Sequence, residues 1–395
     1  MMIFFCENIM KNGIAFLMLG LFWACQKPPN EGDYLVMESE PIRKSEILMS
    51  EITTNVQIIP LETSEKSLIQ KIEKIVKKGG LYYIQDGSKR LLVFDANGKY
   101  LNTISGIGAG PGEYAYLKDF DVDPARNTIV IADLGKVHVY DLDGTYRNTL
   151  YIGGDTWNIF LLPDGKIARR NLVGDKLFQI LDLEGNILGE YVDLYPNLRH
   201  RVHKHVDFFS IGDRVFSQDG VASNDLWCYQ NGEVSSWEIL SDPRCVSGEQ
   251  ENEYIRHGGL GYQQSNPDVM KIPSITSGRD FTMIFASVGK GGYLYLRNNR
   301  TGETKRFESW WENITDDLFF LDIERLMFNS SYTETEDQFV AFADAYLVAD
   351  GLEKHSDLSG TDNYRRVESL LDSLGDIYNA NPLILSFNYK NMSDI

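Results

Sequence analysis

The sequence predicts an all-β chain that closes into a six-bladed β-propeller, with helices inserted in the last blade and the ring sealed by pairing an N-terminal with a C-terminal strand. Three observations carry this prediction. A strand–turn–strand unit with an Asp/Asn-x-x-Gly turn recurs at intervals of about 40 to 50 residues. The chain of 395 residues is 43% hydrophobic and holds 21 Tyr, 20 Phe and 34 Gly, enough apolar surface for a large core and enough turn formers for many short strands. A lone β-prone segment precedes the first unit, and another follows the last. The charge balance, 38 Lys+Arg against 57 Asp+Glu for a net charge of -19, repels polyphosphate and argues against sequence-independent nucleic-acid binding. Composition also argues against disorder, collagen and a small disulfide scaffold.

The N-terminus reads as an address. Met10-Lys11-Asn12 leads into an apolar run from Gly13 to Ala24 that ends at Cys25. That run is too short to cross a hydrocarbon layer of about 30 Å as a helix, so residues 1–24 are read as a signal peptide that is removed. Leu21-Phe22-Trp23-Ala24-Cys25 resembles a bacterial lipoprotein signal. The resemblance implies that Cys25 becomes the acylated N-terminus, giving a membrane contact through lipid and a place in the cell envelope as an outer-membrane lipoprotein, on its periplasmic or surface face. An ordinary secretory signal with an incidental cysteine is the alternative. Residues 25–50, Pro-rich near their start, read as a lipid-tethered linker, and 51–395 as the propeller. Past Cys25 only Cys228 and Cys245 remain, and spacing leaves open whether they pair in a disulfide or stay as separate thiols.

The repeating unit is clearest at Leu91–Leu101 with its turn Asp95-Ala96-Asn97-Gly98, then at Lys136–Tyr146 with Asp141-Leu142-Asp143-Gly144, then at Leu177–Ile187 with Asp182-Leu183-Glu184-Gly185. Looser copies run from Leu226 to Val234 and from Leu294 to Thr304. Glycine supplies the positive φ of the hairpin, and the Asp or Asn bonds its own backbone through the turn. Short strands upstream, such as Leu81–Ile84 and Thr128–Ala132, complete four strands per unit, which is a propeller blade. Asn55–Leu61 and Asn381–Lys390 are the two halves of the closing clasp, and their pairing would bury both edges. Between them, Glu336–Ala349 and Tyr364–Ile377 place apolar residues at helical spacing, with Thr361 or Asp362 as the cap of the second.

Ile59-Pro60-Leu61-Glu62-Thr63, Phe94-Asp95 with Gly98-Lys99, Gly106-Ile107-Gly108-Ala109-Gly110-Pro111-Gly112-Glu113-Tyr114, and Asn381-Pro382-Leu383 together resemble the six-bladed β-propeller lipoproteins of Bacteroidetes, related to NHL-repeat propellers. The resemblance implies the fold and an envelope location and carries no assigned chemistry.

Two stretches are candidate ligand contacts. Gly106–Gly112 lacks dinucleotide-binding spacing, because Pro111 and Glu113 stand where the last glycine is required. It reads as an inter-blade loop with Glu113 bonding loop amides; the competing reading is an anion or ligand contact at Gly108, Gly110 and Glu113. Arg199-His200-Arg201-Val202-His203-Lys204-His205 gathers three of six histidines in an acidic chain. A solvated loop is the favoured reading, and a site for an acidic glycan or phosphate through Arg199, His200, Arg201, His203 and His205 comes second. A metal held by His203 and His205 with Asp207 comes last, so no metal and no cofactor is expected. Asp121, Asp123, Asp133, Asp141 and Asp143 are plentiful, yet they show neither calcium-loop spacing nor a sialidase box, and no Gly-x-Ser-x-Gly or His-Glu-x-x-His occurs, so no catalytic residue is assigned. Trp157, Trp227, Trp237, Trp310 and Trp311 are candidates for stacking on sugars, core packing being the commoner role.

The functional expectation is a non-enzymatic binding module that holds an envelope protein or a glycan. The alternative is a glycan hydrolase or lyase whose carboxylates converge in the central channel, recognisable by two unpaired carboxylates facing each other in a deep cleft.

Overall fold

The computed structural model describes residues 33–42, 46–104, 106–194, 208–220, 223–257, 266–289, 291–308, 314–322, 331–333 and 338–391. The chain opens with β1 (Tyr34–Val36), β2 (Glu40–Ile42), β3 (Ile47–Leu48), α1 (Met49–Ile52) and β4 (Thr53–Pro60). Blade 1 follows as β5 (Ile72–Lys78), β6 (Leu81–Asp86), β7 (Leu91–Phe94) and β8 (Tyr100–Ile104). Blade 2 is β9 (Asp119–Asp123), β10 (Thr128–Asp133), β11 (Lys136–Tyr140) and β12 (Tyr146–Tyr151). Blade 3 is β13 (Thr156–Leu161), β14 (Ile167–Asn171), β15 (Lys176–Leu181) and β16 (Ile187–Asp193). Blade 4 is β17 (Phe209–Ile211), β18 (Arg214–Gln218), β19 (Asp225–Gln230) and β20 (Glu233–Leu240), followed by α2 (Gly248–Arg256). Blade 5 is β21 (Met270–Ser277), β22 (Phe281–Val288), β23 (Gly291–Asn298) and β24 (Thr304–Glu308). After β25 (Ile314–Thr315), blade 6 uses β26 (Ser331–Thr333), β27 (Gln338–Ala343), β28 (Leu383–Tyr389) and the early strand β4, with α3 (Ala345–Lys354) and α4 (Asp362–Leu374) between β27 and β28. The six-bladed propeller is therefore as the sequence predicts.

The middle strands are continuous apolar runs because a blade buries both of its faces. In β10 every residue is buried; Ile129 and Ile131 enter the core shared with blade 1, while Val130 and Ala132 enter the core shared with blade 3. The same logic closes the ring, where Val340 and Ile384 of blade 6 pack with Ile75, Tyr82, Ile84 and Leu92 of blade 1.

The repeated turn locks neighbouring blades together. Gly98, Gly144 and Gly185 have φ of +81, +90 and +91°, and their amides donate to Asp95, Asp141 and Asp182 carbonyls at 3.0, 3.0 and 3.2 Å. Each glycine also lies against the outer strand of the preceding blade: Gly98 on Pro60, Gly144 on Ile104, Gly185 on Leu150. A Cβ on Gly98 would be driven into the Pro60 carbonyl oxygen, whereas one on Gly80, at φ +76°, would meet nothing within 4 Å. Gly98→Ala is therefore expected to cost about 2–3 kcal/mol in urea unfolding, against about 1 kcal/mol for Gly80→Ala, which carries the backbone strain alone. The looser fourth copy is a two-residue turn, Asn231-Gly232, with φ of +52 and +88°.

The clasp forms as the sequence predicts: β4 runs antiparallel to β28, with Ile59 opposite Ile384 and Ile58 opposite Leu385. The stretch before it differs from expectation. Residues 34–42 and 46–48, read as part of a linker, instead lie along the outside of the ring. β1 adds in parallel to β20, β2 to β24 and β3 to β25. Leu35 and Val36 are buried in the core between blades 4 and 5, and the backbone of β1 and β2 satisfies two outer sheet edges.

The inserted helices are present with shifted bounds. Phe339, Phe342 and Ala343, spaced as on a helix, lie in strand β27, which is buried on both faces, and periodicity does not separate such a strand from a buried helix. The second helix starts where Thr361 Oγ1 accepts the Tyr364 amide at 3.2 Å, so Thr361 is its cap, and Gly375 at φ +72° ends it. Helix α2 was not foreseen; Ser247 and Gln250 form its capping box.

Candidate functional site

The first strands of the blades face the central channel, and two aspartates of β9 organise its wall across three blades. Asp119 Oδ1 accepts Lys74 Nζ of blade 1 at 2.6 Å while Oδ2 accepts the Ile159 amide of blade 3 at 2.8 Å. One turn of the pleat further along, Asp121 takes Lys78 Nζ at 2.8 Å and the Leu161 amide at 2.7 Å. These carboxylates are buried and fully committed to ion pairs and amides.

Where β5, β9 and β13 begin, the channel wall opens into a cavity of about 220 Å3. Glu73, Lys74, Gln85 and Lys89 of blade 1, Tyr116, Leu117, Lys118 and Asp119 of blade 2, and Trp157 and Asn158 of blade 3 line it. Its aromatic walls are held by their neighbours. Trp157 Nε1 donates to Asp155 Oδ2 at 3.2 Å; Lys118 pairs with the same carboxylate and lies 5.6 Å from the Trp157 ring centre. Tyr116 is 44% exposed, with Lys89 Nζ 4.1 Å from its ring centre.

An acid or amide at the end of the second strand in blades 1, 2 and 3 sets the loops that carry these residues. Asp133 accepts the Ala115 and Tyr116 amides at 3.1 and 3.0 Å, Asp86 accepts the Gln70 amide at 2.9 Å, and Asn171 accepts the Asp155 amide at 3.0 Å. The sequence carries this signal as Gln85-Asp86, Ala132-Asp133 and Arg170-Asn171 at strand ends, which sequence reasoning left unused. His138 stands behind Asp133 at 3.5 Å, and burial keeps its imidazole below the ordinary histidine range.

Of the ligand contacts expected from sequence, Gly108, Gly110 and Glu113 come together with each other and away from the cavity. Glu113 Oε2 accepts the Gly110 amide at 2.8 Å and sits so close to Gly108 that a Cβ there would strike the carboxylate. Arg199, His200, Arg201, His203 and His205, Asp207, Trp310 and Trp311, and Cys25 with residues 1–24 lie outside the described residues. Among the other aromatics, Trp227 is core, stacked 5.1 Å from Phe178, and Trp237 packs edge-on against Phe216. The remaining acids serve local structure: Asp123 accepts the Ala125 amide at 3.0 Å, Asp141 takes Arg147 Nε at 2.6 Å and Asp143 takes the Thr145 amide at 2.8 Å.

A second group of carboxylates lies sealed beside α2. Asp219 Oδ1 accepts Ser223 Oγ at 2.6 Å, and Asp225 Oδ2 accepts the Gly248 amide at 2.7 Å. Burial first, and then the charge of Asp225, push Asp219 above the usual carboxylate range; burial likewise raises Asp225. Neither lines the cavity. Among the described residues no group of three or more His, Cys, Asp or Glu is placed to hold a metal ion. Cys228 and Cys245 are separate free thiols, Cys245 lying 3.6 Å from Met270 Sδ, and burial raises both to about 12.

Among solved structures, the chain is similar to a Bacteroides fragilis NCTC 9343 protein thought to be exported, with a TM-score of 0.68 at 18% identity over 90% of this chain and 100% of that one. At that identity the likeness concerns the fold. Kluyveromyces lactis Hsv2 matches at a TM-score of 0.39 and 8% identity, covering 69% of this chain and 71% of its own. The computationally designed Ika8 matches at 0.37 and 12%, covering 73% and 71%. Both fall below the similarity at which a match bears on function. None of the curated proteins matches the sequence. Residues 36–386 match the model of a domain of unknown function, DUF4934, and the chain belongs to that family.

Proposed function

We infer that this propeller is an exported, lipid-tethered binding protein that takes one ring of a glycan into the cavity shared by blades 1, 2 and 3. The observation that carries the reading is the pair of aromatic walls, Trp157 and Tyr116, flanking a cavity of about 220 Å3 at the channel mouth. That space suits a single ring or side-chain-sized group, and aromatic faces are the apolar element that sugar rings stack on. The hydrolase alternative asks for two carboxylates facing an open cleft. The two carboxylates that line the cavity, Glu73 and Asp119, are each paired with a lysine, Lys71 and Lys74, which supports binding over bond cleavage.

The experiment is a glycan-array and turnover screen on protein lacking residues 1–25. Trp157→Ala is expected to weaken glycan binding about tenfold, from the loss of roughly 1.4 kcal/mol of stacking, and to lower the melting temperature as well, because Trp157 also packs against the core shared by blades 3 and 4. Glycan binding indifferent to Trp157→Ala, capture of an envelope protein without any glycan affinity, or turnover abolished by one acidic substitution would each overturn this reading.

The tether rests on Cys25 and the apolar run before it, and the similar Bacteroides fragilis protein thought to be exported supports the envelope location. Cys25→Ala is expected to move the protein from the membrane to the soluble fraction of fractionated cells, and its retention in the membrane pellet would contradict the lipid anchor.

A further inference from the structure

We propose that the sugar ring taken by the cavity bears a carboxylate, as a uronic acid does, and that Lys89 reads it. The proposal rests on the glycan-binding reading of the cavity and adds the ligand's charge class. Three ammonium groups and two carboxylates line the cavity; Glu73 lies 3.4 Å from Lys71 Nζ and Asp119 2.6 Å from Lys74 Nζ, and the three ammonium groups are not equivalent. Lys74 Nζ is committed to Asp119 at 2.6 Å and to the Phe120 carbonyl at 3.0 Å. Lys118 is committed to Asp155. Lys89 has no carboxylate partner among the described residues; its ammonium is held only over the face of Tyr116.

The backbone places it there. Lys89 sits at φ +64° in the hairpin between β6 and β7, with its amide donating to the Asp86 carbonyl at 2.8 Å. The acid that would otherwise neutralise it, Asp86, is occupied by Arg90 Nη2 at 2.6 Å, by Ser88 and by the Gln70 amide. The hairpin therefore spends its own carboxylate on Arg90 and presents the lysine to the cavity. Such a charge left over an aromatic face beside a stacking tryptophan matches a ring that offers an apolar face and one acid group.

The charge of the whole chain narrows the class further. At -19 its field repels a dense polyanion, so one short-range ion pair favours isolated carboxylates over a heavily sulfated chain.

The test uses a panel of uronic-acid-containing oligosaccharides, each paired with its carboxyl-reduced neutral counterpart, with affinities measured by calorimetry on protein lacking residues 1–25. The acid member is expected to bind about tenfold more tightly than its reduced counterpart. Lys89→Gln should erase that difference by bringing the affinity for the acid member down to that of its reduced counterpart, and Lys89→Arg should restore it. Equal affinity for both members, with binding still lost in Trp157→Ala, overturns the carboxylate while leaving the glycan reading standing. An acid preference that survives Lys89→Gln overturns the role of Lys89. Binding of neither member across the panel overturns the glycan reading and this proposal with it.

Discussion

A chain beginning at Leu61 is expected to show no cooperative unfolding transition, whereas one beginning at Ile47 should still unfold cooperatively at a temperature several degrees lower. The first truncation removes β4, the fourth strand of blade 6, and with it the antiparallel ladder from Leu383–Pro60 to Tyr389–Thr53. It also removes Met49 and Ile52, which are 0% and 3% exposed, together with Ile58 and Ile59, which pack on the cores either side of blade 6. At about 1.5–3 kcal/mol for each large apolar side chain, the loss approaches the whole stability of about 5–15 kcal/mol typical of a folded domain. The second truncation keeps the clasp, uncovers the outer edges of blades 4 and 5 and takes Leu35 and Val36 out of the core between them, an effect expected as lowered stability and a tendency to associate through bare strands. Near-ultraviolet circular dichroism on heating, with size-exclusion chromatography, measures both. A sharp transition within a few degrees of the parent for the chain starting at Leu61 would mean that the ring does not depend on its clasp.

Asp121→Ala is expected to cost about 3–5 kcal/mol in urea unfolding, because it removes a buried partner from two groups at once. Lys78, whose side chain is 10% exposed, loses its carboxylate at 2.8 Å, and the Leu161 amide loses an acceptor at 2.7 Å. Asp121→Asn keeps an acceptor for Leu161 but not the ion pair, so its cost should fall between that of the alanine variant and zero. Asp143→Ala, removing an exposed turn aspartate that accepts one amide, should cost under about 1 kcal/mol. If Asp121→Ala and Asp143→Ala destabilised equally, the carboxylate belt along the channel would contribute nothing beyond ordinary turn chemistry.

These two cases mark where sequence reasoning reached and where it stopped. The clasp was legible because both halves are β-prone segments isolated at the ends of a repeating array, and an array of blades exposes two edges unless its ends meet. The role of Asp121 was not legible. In sequence it is one acid among several in Asp119-Phe120-Asp121-Val122-Asp123, and only the approach of β5 from one side and β13 from the other separates it from its neighbours. Phe339 and Phe342 show the opposite failure, a helical spacing that arises by accident in a strand buried on both faces.

The cavity follows the same division. Trp157 was among the aromatic candidates, yet nothing near it in sequence distinguishes it from Trp227, which is core. Lys89, Tyr116 and Trp157 come from three blades and meet at the channel mouth, so no spacing rule links them. What the amino-acid order determined alone was what is written within short segments: the Asp-x-x-Gly turns, the apolar strands between them, a cap at Thr361 or Asp362 and the two β-prone segments that close the ring. Tertiary structure decided which acids are spent on lysines, which lysine is left over and where the N-terminal belt lies, because each depends on backbone and charge delivered from another blade.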